Sequence, residues 1–121
     1  MTRILVVDDD PSILLNTLAY LEDEGYEVFA AESPALALEI ITNKKIDVGI
    51  IDMRLPGIDG NELIVQAHKN LPEMKFIIHT GSTDYHIPES LKNIGILQEH
   101  IINKPVLNMD VFKETIAKLL A

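Results

Sequence analysis

Residues 3–11 read RILVVDDDP. Five mostly apolar, branched residues give way to three consecutive acids and a proline. The apolar run is short and continuous, which suits a strand buried on both faces of a parallel sheet. Asp10 followed by Pro11 is a helix start, with a carboxylate cap and a first-turn proline. The stretch therefore predicts a strand running straight into a helix, with Asp8 and Asp9 crowded at the junction. Two unit charges ~4 Å apart interact by about 4 kcal/mol at an effective dielectric of about 20. Unrelieved repulsion of that size would raise a pKa or loosen the fold, so a positive partner is expected beside these acids.

The same grammar continues along the chain. Apolar runs recur at YEVFA (26–30), DVGII (47–51), KFIIH (75–79) and HIIN (100–103). Segments with helical spacing lie between and after them. Leu14, Leu18 and Leu21 share one face of the first, and Gly25 is a plausible stop. Ser33–Pro34 repeats the start signal before Leu36, Ala37, Ile40 and Ile41. Asp59 and Glu62 form a variant of the capping box ahead of Leu63, Ala67 and Leu71. Pro88 and Gly95 bracket a fourth helix of barely two turns around Leu91. Asn108 or Asp110 can cap a last helix with Val111, Phe112, Thr115, Ile116 and Leu119 facing inward. Strands alternating with helices predict an open α/β sheet with helices on both faces.

Bulk properties bound the function. A chain of 121 residues, 47% hydrophobic, fits one domain spanning 1–121. The net charge of −9 disfavours direct binding of nucleic acid. Zero cysteines exclude disulfides, thiolate metal sites and cysteine nucleophiles. MTRILVVDDD meets acids too early for a secretory leader, and no apolar stretch approaches the ~18 residues of a membrane span. A soluble, cytoplasmic protein with no membrane insertion is expected.

In open α/β sheets, sites form beyond the carboxyl ends of the strands. There the sequence places Asp8–Asp9 after strand one, Asp52 after strand three, Thr80–Gly81 after strand four and Lys104–Pro105 after strand five. Carboxylates with water suit Mg²⁺. Lys104 adds an ammonium and Thr80 a hydroxyl that can donate to an anionic oxygen. Such a set suits a phosphoryl group, with a carboxylate as nucleophile. Singly, each residue has a bland reading as a cap, a turn or a solvated charge. Four strands delivering complementary groups to one edge do not.

On these residues the chain resembles the receiver domain of two-component response regulators. ILVVDDDPSI, DMRLPGIDG, Thr80–Gly81 and the NKP that holds Lys104 occur in order, and the resemblance spans essentially the whole chain. It implies a flavodoxin-like five-stranded parallel sheet of order 2-1-3-4-5. It implies that Asp52 accepts a phosphoryl group from a sensor histidine kinase or phosphotransfer protein. Asp9 then binds Mg²⁺ directly, Asp8 acts through metal-bound water, and the Arg54 backbone carbonyl is a further ligand. Lys104 pairs with the phosphoryl oxygens, and Thr80 swings toward them to alter binding of a downstream output domain or target protein. The Lys104–Pro105 peptide is expected to be cis. The reaction is self-phosphorylation of one aspartate, so the chain is not expected to be an enzyme.

Two features depart from that pattern. Ile101 occupies the position where receivers carry Tyr or Phe, which puts the usual threonine–aromatic rotation out of reach. The stretch GSTDYHIPESLKNIGILQEH (81–100) is slightly long and broken by Pro88, so Thr80 and backbone movement in 81–87 are expected to carry the signal. Tyr85 and Ile87 there are read either as partner-binding or as packed side chains. His68 is expected to be exposed, and His79 and His100 packed. The competing function is a receiver-like interaction module in which phosphorylation is vestigial. A flavodoxin is disfavoured because three acids would repel the FMN phosphate. A dehalogenase-type phosphatase lacks its D-x-D-x-T, and a GTPase or kinase its glycine-rich loop. The chain ends at IAKLLA, which leaves a stand-alone receiver and the input part of a longer regulator equally open.

Overall fold

The first strand, β1, runs from Arg3 to Val7, and its whole length pairs in parallel with β2, Glu27–Ala31. On its other side β1 pairs with β3, Val48–Asp52, which pairs with β4, Lys75–Thr80, which pairs with β5, Ile101–Asn103. The order is therefore 2-1-3-4-5, all parallel, as the resemblance implies. The structure, a computed structural model, describes residues 1–121.

Parallel strands need crossovers, and helices α1 (Pro11–Asp23), α2 (Pro34–Asn43), α3 (Gly60–Asn70) and α4 (Glu89–Lys92) supply them, while α5 (Asp110–Leu120) follows the last strand. Alternate strand residues feed two cores on opposite faces of the sheet. Ile4, Val6, Ile50 and Ile77 meet Leu14 and Leu21 of α1 and Phe112 and Ile116 of α5. Leu5, Val7, Ile51 and Ile78 meet Ala37 and Ile41 of α2, Leu63 and Ala67 of α3, and Leu91 of α4. Burial on both faces is why the strands read as unbroken apolar runs. Phe112 is wholly buried, and truncating such a ring costs about 3–5 kcal/mol.

Local chemistry sets the helix ends. Asp10 accepts from the Ser12 and Ile13 N–H groups at 2.9 and 3.3 Å, and Ser33 accepts from Leu36 N–H at 3.3 Å. Gly25 follows α1 at φ +93°, a left-handed conformation that glycine adopts freely. Asp59 caps α3 through Glu62 N–H, but the reciprocal half of the box is missing because the Glu62 carboxylate takes Gln66 instead.

Four further expectations need correction. The fourth helix is a single turn, since Pro88 starts it late and the chain turns away through Gly95 at φ +106°. Asp110 does not cap α5, because it is already in the first turn, where it accepts from the Tyr20 hydroxyl at 2.6 Å. The position before it is Met109, and Asn108 Oδ1 reaches past Met109 to accept from the Asp110 N–H at 2.9 Å. Leu36 is 44% exposed, since the buried positions of its helix are Pro34, Ala37 and Ile41. His68 is half-buried rather than exposed.

One close approach matters for the site. A Cβ at Gly60 would collide with the backbone carbonyl oxygen of Asp52 and lie 2.8 Å from Met53 Cα. The glycine lets the first turn of α3 rest against the end of β3, where Gly60 N–H donates to the Met53 carbonyl at 3.2 Å. Because the obstruction is backbone, Gly60→Ala should cost roughly 1–3 kcal/mol, read as a lower denaturant midpoint with unchanged slope.

Candidate functional site

The carboxyl ends of β1, β3, β4 and β5 open on a cleft of about 330 Å³. Its walls include Asp8, Asp9, Asp52, Arg54, Gly81 and Lys104. One carboxylate oxygen each of Asp8, Asp9 and Asp52 lie within 4.8 Å of one another. Asp8 and Asp52 are buried and Asp9 is exposed, so the cluster has a buried base and an open mouth.

Each side chain is held by backbone the sequence builds for it. Asp8 Oδ1 accepts from the Asp10 N–H at 2.9 Å, and Asp52 Oδ1 accepts from the Arg54 N–H at 3.1 Å. Lys104 Nζ sits 2.8 Å from Asp8 Oδ2 and 3.5 Å from Asp52 Oδ2, bridging two carboxylates that would otherwise face each other. The contact to Asp8 is an ion pair without hydrogen-bond alignment, which leaves the buried Oδ2 with a lone pair free. An incompletely partnered oxygen in a three-acid cluster fits a hard divalent cation, whose preferred ligands are carboxylates, carbonyls and water. The Lys104–Pro105 bond is cis, as expected.

Burial raises the pKa of Asp52 above the ordinary carboxylate value. Hydrogen bonding from Arg54 N–H opposes the shift, Asp8 adds to it, Lys104 opposes it and Asp9 adds to it. Its ionised form is thus the costly one in the absence of a cation.

Thr80 ends β4 beside this cleft but does not line it. It is buried, and its Oγ1 accepts from the Ser82 N–H at 3.1 Å. Its backbone oxygen accepts from the Lys104 N–H at 2.8 Å, which ties the ends of β4 and β5 together. Ile101 is half-buried against the α2–α4 core, with no polar atom to offer. Ile87 is buried and Tyr85 half-buried against that core, so both pack.

Two residues at the site carried more than the sequence reading gave them. Asn103 Nδ2 donates to the Ser82 carbonyl at 3.1 Å, clasping the segment after Thr80 from β5. His79 stands opposite Asp52 in the β3–β4 register, on the face of the sheet toward Phe112, whose ring it meets edge-on at 5.1 Å. Burial, assisted by Lys104, pushes its pKa down to about 4, so it is neutral near pH 7. The alternation of β4 could have placed His79 on that face, because Thr80 and Ile78 necessarily point the other way.

The response regulator receiver domain model matches residues 4–117. The chain belongs to that family. This receiver domain is therefore a module of two-component signalling and not a conventional enzyme. It is 38% identical to a CheY-like response regulator receiver domain protein from Methanospirillum hungatei, with 98% of this chain and 94% of that one covered and a TM-score of 0.82. It is 33% identical to the response regulator TrrA from Thermotoga maritima, solved in complex with Mg²⁺–BeF, with 98% and 99% covered and a TM-score of 0.83. TrrA has also been solved in complex with the histidine kinase ThkA. Among curated relatives, the transcriptional regulatory protein GlrR of Escherichia coli is 40% identical over 79 residues, 65% of this chain but 18% of that protein. The receiver chain thus spans under a fifth of the length of that relative. No helix is long and apolar enough to cross a membrane.

The buried acid at the centre predicts a pH signature. With a folded pKa above the unfolded one, Asp52 favours the folded state at low pH, and that contribution is lost as pH rises through the folded pKa. Without metal, Asp52→Asn should therefore melt at a higher temperature than wild type near pH 7. The gain should shrink as pH falls through the raised folded pKa, where wild-type Asp52 takes up its proton, as thermal melts in EDTA from neutral to acidic pH will read.

Proposed function

We propose that this chain is a phosphorylation-dependent signalling switch in which Asp52 is the phospho-acceptor, and that residues 1–121 act as one receiver unit. The carrying observation is the placement of Asp52 within reach of both Lys104 and the Asp8–Asp9 pair. One Asp52 carboxylate oxygen attacks the phosphorus of a kinase phosphohistidine. The O–P bond forms as the P–N bond breaks, and the imidazole leaves with the electron pair. Lys104, already poised between Asp8 and Asp52, neutralises charge on the transferred group. The Thr80 hydroxyl exchanges the Ser82 N–H for a phosphoryl oxygen, to which it donates.

Asp9 and Asp52, with Asp8 through water and the Arg54 carbonyl, are the proposed Mg²⁺ ligands. When bound, the ion supplies charge neutralisation for the acids and the phosphoryl oxygens. The free lone pair on Asp8 Oδ2 supports this set. The proposed phosphodonor is a sensor histidine kinase or phosphotransfer protein. The readout is a changed affinity for an output domain or target protein, by a population shift between two conformations. The TrrA–ThkA complex supports a kinase as partner. Direct contact with nucleic acid is not part of this reading, given the charge of −9. Action in the cytoplasm accords with the phosphodonor proposed.

Incubation with Mg²⁺ and a small phosphodonor, followed by intact mass measurement, should add one phosphoryl mass to wild type and none to Asp52→Asn. No addition, under conditions that label another receiver, would favour an interaction module with vestigial phosphorylation, the reading that Ile101 invites. Asp9 is exposed and outside both cores, so Asp9→Asn should keep the fold. It should weaken Mg²⁺ binding by about tenfold or more, measured by calorimetric titration.

A further inference from the structure

We propose that the hydrogen bond from the Tyr85 hydroxyl to Asn61 Oδ1 is a latch that holds the β4–α4 segment in the resting state of the switch. The inference rests on Asp52 being the phospho-acceptor and names the contact that opposes its signal.

The two ends of this bond belong to segments with different freedom. Asn61 is the second residue of α3, directly after Gly60, whose backbone rests on the end of β3. That end carries Asp52, so Asn61 is fixed to the acceptor strand. Tyr85 lies in the irregular segment between β4 and α4, five positions past Thr80. The phenol reaches across at 2.5 Å while its ring packs against the α2–α4 core. Burial, with Asp59 nearby, pushes the phenol pKa up to about 12, so it remains a protonated donor throughout the neutral range.

The segment is strung on a short series of polar contacts. Ser82 N–H donates to Thr80 Oγ1 at 3.1 Å, Asp84 N–H to Ser82 Oγ at 3.3 Å, and Asn103 Nδ2 to the Ser82 carbonyl at 3.1 Å. If the Thr80 hydroxyl turns into the cleft, Ser82 N–H loses its acceptor and the series must rearrange. Gly81 gives that rearrangement room, for no heavy atom beyond its chain neighbours lies within 4 Å of where its Cβ would be. The far end of the series is Tyr85. Moving the segment as a body requires the phenol to leave Asn61, so the latch and the phosphoryl group pull on the same backbone in opposite directions. Ile101, packed in the same core, has no polar group with which to compete for either partner.

The test is binding of Mg²⁺–beryllofluoride, a phosphoryl mimic, to the whole chain, followed by calorimetry and by NMR of the Ser82 amide and the Tyr85 ring. Wild type should bind, with both sets of signals shifting in one titration. Tyr85→Phe removes one oxygen and should bind the mimic roughly fivefold tighter, because a typical net hydrogen bond no longer opposes the active state. Asn61→Ala should do the same, and the double variant should gain no more than either single one, as expected for two ends of one contact. Unchanged or weaker affinity in both single variants, whatever their melting temperatures, overturns the latch and leaves the acceptor intact. Failure of wild type to bind the mimic overturns both.

Discussion

The structure depends on how a parallel sheet gathers charge. Every strand points its carboxyl end the same way, so residues that follow β1, β3 and β5 meet at one edge though they are far apart in sequence. Three carboxylates converge there within 4.8 Å, and the one ammonium among them is Lys104. It stands closer to Asp8 than to Asp52, and its angle to Asp8 leaves that carboxylate incompletely partnered. The edge is thus neither neutral nor satisfied. A site kept in that condition is suited to a cation, whose charge offsets the excess of carboxylates.

Much of this was legible in the sequence because it rests on periods and on strand ends. Unbroken apolar runs announced strands covered on both faces, and Asp10–Pro11 and Ser33–Pro34 announced helix starts that the backbone uses as read. The acids and Lys104 were legible because the end of a parallel strand fixes its edge. What escaped depends on where a side chain goes after its backbone is placed. Glu62 stands three residues after its cap yet turns to Gln66, since a neighbour one turn along competes for it. Asn108 and Asp110 are both good caps by type, but only Asn108 serves the helix start, by accepting from the Asp110 N–H, while Asp110 turns to Tyr20 across the α1–α5 boundary. The link between Tyr85 and Asn61 joins residues 24 apart in sequence, and no local pattern encodes such a pair.

The family assignment and the physical reading support one another at different levels. Membership accounts for the sheet order and the general character of the acidic cleft. Ile101, the single-turn α4 and the polar contacts through Ser82, Asn103 and Tyr85 are read from the structure residue by residue. The segment after β4 is restrained by hydrogen bonds as well as by the packing of Tyr85 and Ile87. Such bonds are directional, and water can replace their partners once they open, whereas a packed ring is held by shape.

Thr80 joins these levels through a division within one residue. Its carbonyl oxygen is bound by the Lys104 amide, as a rung between strands, while its hydroxyl faces only the Ser82 amide. Main chain and side chain therefore answer to different neighbours, and the hydroxyl can be re-aimed by one torsion without disturbing the ladder. A β-branched residue has few staggered positions for that torsion. In the proposed switch, Thr80 would be closer to a toggle than to a dial: its travel is set in discrete steps by the covalent geometry of threonine.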